Sequence, residues 1–315
     1  MIIDTHVAGV SRSPRDQKMA ELVQKDKFMQ FVWKLYGSRG HGGNMQMLST
    51  IEDYLQAMES ISVEKLIIHS VGYYPETCKA LNDATKSLCE KYAEQLVGLA
   101  TVPLAYPKKS VPELDRAIKD LGLKGLKIYP KFQGVTLDSR KMIPVYKKAE
   151  KLGIPILTHS DSYTGSYTGY GLKEVDNTAC NTARLFTSGI LKDTPNLKII
   201  LAHLGGGIMF YKDHLYAMSR FLQKPGEENL EAYYDRLFNQ LYYDLAPAHW
   251  YSEKTVQMAI DIVGEDRIFF ATDFPLVQGL EGVKRSIAHV KSFNLPESIK
   301  EKILGLNAKK FFNLK

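Results

Sequence analysis

The sequence predicts an α/β fold, a (β/α)8 or TIM barrel forming one domain over residues 1–315, with long insertions in its βα loops. Three observations lead there. Eight short apolar, β-branched runs recur along the chain, amphipathic helical stretches separate them, and no block consists of strands alone or helices alone. Eight parallel strands are the number that closes a barrel. An open doubly wound sheet is the alternative, but no G-x-G-x-x-G follows the first strand to support it.

The elements follow in order. Ile2–Asp4 is the first strand. The segment from Ser11 to Thr50 is far longer than an ordinary βα connection, contains Gly40-His41-Gly42-Gly43, and reads as a lid. Strand Leu66–His69 leads to helix Cys78–Ala93, strand Val97–Thr101 to helix Val111–Leu121, and strand Gly125–Ile128 to helix Arg140–Leu152. After strand Ile154–Thr158 a loop repeats itself, Ser162-Tyr163-Thr164-Gly165 then Ser166-Tyr167-Thr168-Gly169. It is a second lid candidate, with a tolerated surface insertion as the equal alternative. Strand Lys198–Ala202 precedes an insertion around Gln223–Asn239 that is expected to add helix. Strand Leu241–Asp244, helix Ser252–Val263, strand Ile268–Thr272 and helix Leu280–Phe293 complete the repeat, and helix Glu297–Phe311 follows Pro296.

Composition narrows the function classes. With 315 residues, 44% of them hydrophobic, the chain can bury a large core. The net charge of +6 is spread along the chain with no basic run interleaved with aromatics, which argues against nucleic-acid binding. Cys78, Cys89 and Cys180 are odd in number and lack C-x-x-C spacing, so a reducing compartment is expected rather than a disulfide framework. Met1-Ile2-Ile3-Asp4 has no charged region ahead of a long apolar stretch, and no apolar run is long enough to span a bilayer. The expectation is a cytoplasmic protein that acts on a small molecule and binds neither nucleic acid nor membrane, with a homo-oligomer left open.

The chemistry stands at the strand ends, which in a barrel converge on one face. Four of the eight histidines lie there: His6, His69, His159 and His203, together with Asp244 and Asp273. Neutral imidazoles and a carboxylate suit a divalent ion, which lowers the pKa of bound water to ~7. His6, His159 and Asp273 can supply three ligands, while Asp273 moves a proton and His203 serves as a base or polarises the substrate. The ion expected is one zinc, with manganese second and a metal-free site as the alternative. Lys127 and Tyr129 are candidates for substrate binding, and Tyr163 for the roof of the pocket. His203 precedes Gly205-Gly206-Gly207, a turn whose backbone N–H groups could meet an anion. Asp4 is expected to orient the strand or a ligand rather than react. Asp244 lines the pocket or serves as a cap or ion-pair partner.

The same residues carry a family resemblance. Ile2-Ile3-Asp4-Thr5-His6, Gly122 to Pro130, Ile154 to His159, Asn196 to Gly206, Gly264 to Pro275 and Lys302 to Ala308 resemble, in order, the motifs of the amidohydrolase superfamily. Within it they resemble the branch of aminocarboxymuconate-semialdehyde decarboxylase and related lactonases, hydratases and aromatic-acid decarboxylases. The resemblance implies a His-x-His pair after the first strand, but here the run is His6-Val7-Ala8. His69 or His41 could replace the missing imidazole. The main functional expectation is a metal-dependent hydrolase of an amide, ester or lactone. A non-oxidative decarboxylase or hydratase of an aromatic or unsaturated carboxylate is the alternative, and a metal-free binding protein comes last.

Overall fold

The computed structural model describes residues 1–9, 21, 25, 50–130, 132–159, 170–222, 229–275 and 278–314. Strand β1 is Ile3–Ala8, β2 Lys65–His69, β3 Leu96–Gly98, β4 Leu126–Ile128, β5 Ile156–Thr158, β6 Ile199–Leu201, β7 Leu241–Asp244 and β8 Ile268–Phe269. All paired strands are parallel, in the orders β1-β2-β3 and β4-β5-β6-β7-β8. Two bridges join these runs into a closed barrel. Ala100 pairs with Leu126 between β3 and β4, and Val7 pairs with Phe274 between β1 and the end of β8.

Among the described residues the helices are α1 (Ile51–Ala57), α2 (Pro75–Lys91), α3 (Pro107–Lys119), α4 (Ile143–Leu152), α5 (Tyr170–Ser188), α6 (Lys212–Leu222), α7 (Leu230–Gln240), α8 (Glu253–Val263), α9 (Gly279–Lys291), α10 (Glu297–Glu301) and α11 (Asn307–Phe311). None is long and apolar enough to cross a membrane. Most expected elements are found with ends displaced by a few residues. Helix α3 begins at Pro107 rather than Val111, because the proline opening the helix gives up an N–H that would have no partner in any case. Arg140–Met142 is a 3-10 turn ahead of α4. The final stretch is α10, a π turn over Lys302–Leu306, and α11. There Gly305 packs so closely that an added Cβ would lie 2.8 Å from the Met1 carbonyl oxygen. Helices α1, α5 and α6 have no counterpart among the expected elements, and α7 supplies the helix foreseen around Gln223–Asn239. Apart from residues 21, 25 and 50, the two lid candidates lie outside the described residues.

Side chains alternate along each strand between the helix-facing shell and the barrel interior. Leu66, Ile68, Ile156, Ile199, Leu201, Leu241, Tyr243 and Ile268 belong to the outer core packed with the helices. Ile3, Ile67, Leu99, Leu157, Ile200 and Phe269 form the inner apolar floor, closed by Ala308 and Phe312 at the C-terminal helix. The residues one inward position further along these strands build the site.

Candidate metal and catalytic site

His69 and His159 reach the interior by simple alternation, two residues beyond the floor residues Ile67 and Leu157. Asp244 does the same two residues beyond Tyr242, which packs against that floor. His6 needs a device. Asp4 pairs with Leu66 and Val7 with Ile68, so β1 advances three residues while β2 advances two. This bulge flips the parity of β1. Ile3 faces the floor, Val7 faces the outer core, and His6 is thereby turned inward.

His203 requires a different solution. Following Ile200 and Ala202, it stands at a position that would face outward in a continuing strand. Its φ of 55° ends the strand and starts a left-handed turn through Leu204 (φ 50°) to Gly207 (φ 81°). Glycine at 205, 206 and 207 admits that backbone without a Cβ penalty, whereas His203 and Leu204 carry strain. Asp273 is likewise left-handed, with φ 58°. Two strained non-glycine residues at the ends of β6 and β8 thus bear two of the expected functional side chains.

Asp244 fixes the geometry between His203 and His6. Fully buried, it accepts the N–H groups of His203 and Ala246 on Oδ1, each at 3.0 Å, and meets His6 Nδ1 at 2.9 Å through Oδ2. The carboxylate accepts, so Nδ1 of His6 donates and its Nε2 lone pair points into the site. Likewise His203 Nδ1 donates to the Ala246 carbonyl at 2.6 Å, leaving Nε2 to meet His159 Nε2 at 3.0 Å. Two imidazole lone pairs cannot face each other bare. A proton or a cation must lie between them.

His6, His159 and Asp273 each place one ligand atom within 4.8 Å of the others, and all three residues are buried. Asp273 Oδ1 is 3.7 Å from His6 Nε2. Burial, then the charge on Lys127, pushes the pKa of His6 well below the usual imidazole range, and the same causes depress His69. Neutral imidazole is the form that ligates a metal. The donor set, the inward Nε2 of His6 and its backing carboxylate fit a divalent cation.

Lys127 is fully buried and its Nζ lies 3.1 Å from His6 Nε2, where it donates to the lone pair a metal would take. Register places it level with Leu157 and Ile200, a charge in an otherwise apolar layer. It also lies 5.0 Å from the Tyr129 ring centroid, and that ring stacks on His159 at 4.4 Å. Asp4 accepts from Tyr54 on α1 and from the Thr272 N–H, tying β1 to α1 and β8, and burial raises its pKa to about 7.

The structure therefore gathers His6, His159, His203, Asp273, Lys127 and Tyr129. His69 packs edge-on to His6, with ring centroids 5.0 Å apart, but is not among the three clustered ligand atoms. His41 and Tyr163 lie outside the described residues. The connecting part of Asp244 was not legible in the sequence. Its position at the end of β7 was the one available signal.

A family model described as Amidohydrolase matches residues 70–314. The 2-amino-3-carboxymuconate-6-semialdehyde decarboxylase of Dictyostelium discoideum is 26% identical over 245 residues, covering 74% of this chain and 66% of that protein. The gamma-resorcylate decarboxylase of Rhizobium sp. is 24% identical over 295 residues, covering 85% and 89%. Among solved structures, the 5-carboxyvanillate decarboxylase of Novosphingobium aromaticivorans, complexed with manganese and 4-hydroxy-3-methoxy-5-nitrobenzoic acid, is similar with a TM-score of 0.77. It is 21% identical, and the match covers 100% of this chain and 96% of that one. These relatives correct the expectation of a hydrolase, since they are named for loss of a carboxyl group. The sequence favoured the wrong reaction because one ligand set can activate water or polarise a carboxylate, and strand-end residues alone do not tell which.

Proposed function

Because this chain belongs to the amidohydrolase family and is an enzyme, we propose that it catalyses the non-oxidative decarboxylation of a small aromatic or unsaturated carboxylate, as a single domain over residues 1–315. What carries the reading is the decarboxylase activity named for relatives aligned along most of the chain. The buried imidazole and carboxylate cluster supports it.

His6, His159 and Asp273 would hold one divalent metal, with manganese ranked ahead of zinc on the content of the solved neighbour. When bound, it would supply Lewis-acid polarisation of substrate oxygens. The protein's residues are assigned the rest. Breaking the bond to CO2 leaves an electron pair on carbon, and a proton must reach that same carbon. We assign its delivery to the carboxyl of Asp273 and its replacement, by way of solvent, to His203. The substrate carboxylate loses one negative charge as neutral CO2 departs, while the donated proton becomes the new C–H. Lys127, a cation without water around it, attracts the carboxylate on entry. Tyr129, stacked on His159, offers a flat wall to a planar substrate.

Incubation with 2,6-dihydroxybenzoate and related hydroxybenzoates in deuterated, 18O-labelled water tests the reading. The expected result is CO2 release with one deuteron on the vacated carbon and no 18O in the remaining product. Turnover of esters or lactones with 18O incorporation, and no CO2 from any carboxylate offered, would overturn it.

A further inference from the structure

Position 8 is where the family resemblance calls for a second imidazole on β1, and alanine stands there. The Cα of Ala8 is paired in register with His69, the last residue of β2. The two strands remain bonded beyond that pair, with Gly9 N–H donating to the His69 carbonyl at 2.9 Å. Both positions face inward, Ala8 two residues after His6 and His69 two residues after Ile67. The missing histidine thus has a counterpart directly across the ladder.

His69 itself asks for a partner. It is 4% exposed, and its Nε2 is closed to solvent with no hydrogen-bond partner among the described residues. Its neighbours are satisfied: His6 on both ring nitrogens, His203 likewise, and Asp244 on both oxygens. A buried imidazole nitrogen left unpaired is costly, and inside a cluster of ligand-type side chains it is a donor that an ion or a water would satisfy. The ring lies edge-on to His6, at an interplanar angle of 69°. Alanine at 8 presents only a methyl group to the space a second β1 imidazole would fill.

We propose that His69 is a metal ligand of this protein, replacing from β2 the imidazole that Ala8 removes from β1. The proposal rests on the site being a metal centre, as above, and requires the His69 ring to turn toward His6, His159 and Asp273 when the ion binds. The ligand set is then three imidazoles and one carboxylate, the same chemistry as a His-x-His site with one ligand moved to the neighbouring strand.

Binding of the bare ion tests this without any turnover. The full chain, stripped with chelator and dialysed, is titrated with Mn2+ by calorimetry and with Co2+ by visible absorption. Wild type is expected to bind one equivalent. His69→Ala should weaken Mn2+ binding at least tenfold and alter the Co2+ d–d bands, with circular dichroism confirming a folded protein. Adding Ala8→His to that variant should restore affinity, since the two positions face one another. If His69→Ala does not fold, His69→Gln keeps most of the volume and takes its place. Unchanged affinity and an unchanged Co2+ spectrum in the folded variant would overturn the proposal, as would a wild type that binds no ion. A protein that binds metal through His69 but releases no CO2 would instead defeat the decarboxylase reading and leave the ligand assignment standing.

Discussion

Two layers of the barrel interior, built by the same strands and separated by one inward step, differ completely in chemistry. The floor is Ile3, Ile67, Leu157, Ile200 and Phe269, sealed by Phe312. One step towards the mouth, the same strands present His6, His69 and His159, with His203 and Asp273 just beyond their ends. The floor has no polar atoms to satisfy and contributes packing. The mouth layer buries polar groups that, His69 Nε2 apart, are held by one another and by Asp244, and it contributes little hydrophobic burial. The lesson is that stability and chemistry are segregated by height in the barrel, and among the described residues Lys127 is the charge that crosses the divide.

Substitutions at the two heights should therefore affect different measurements. The largest effect on turnover is expected for Asp273→Asn, a drop in kcat of roughly 10²–10⁴ as the proton carrier is lost. Its melting temperature should stay within a few degrees of wild type, and a collapse of both together would erase the division. Leu157→Ala in the floor should do the reverse. It should destabilise by about 2–5 kcal/mol in a denaturant titration, with the kcat of the protein that remains folded unchanged. Asp244→Asn sharpens the comparison, because it leaves every proposed ligand in place and changes the group that accepts from His6 Nδ1 and from the His203 N–H. Metal affinity by calorimetry should fall by about 10–100-fold. The smallest effect belongs outside the barrel. Arg220→Ala removes an exposed ion pair with Glu231, and its stability change should stay within about 1 kcal/mol; a larger loss would mean that the outer surface shares the work of the floor.

Much of this division was legible beforehand. Alternation put His69, His159 and Asp244 on the inward side once their strands were recognised, and the ends of the strands marked where chemistry gathers. His6 and His203 were legible as residues but not as directions. A regular β1 pairing would have turned His6 towards the helices, and only the extra residue between Asp4 and Val7 reverses that. His203 falls on the outward parity and is re-aimed by its left-handed backbone. Neither device has a local pattern strong enough to read. The link from Asp244 to both histidines spans 238 residues in one direction and 41 in the other, so no window of sequence contains it.

By itself the sequence determined the alternation of strand and helix, the apolar lining of the barrel and the types of side chain at the strand ends. Those follow from periods of 2 and 3.6 residues and from local residue chemistry. The tertiary structure alone decided which of those side chains share a volume, which imidazole nitrogen faces inward, and that His69 stands opposite the gap at Ala8. Closure of the cylinder brings β1 against both β2 and β8, and contacts between strands far apart in the chain are set by register, which a one-residue bulge can reverse.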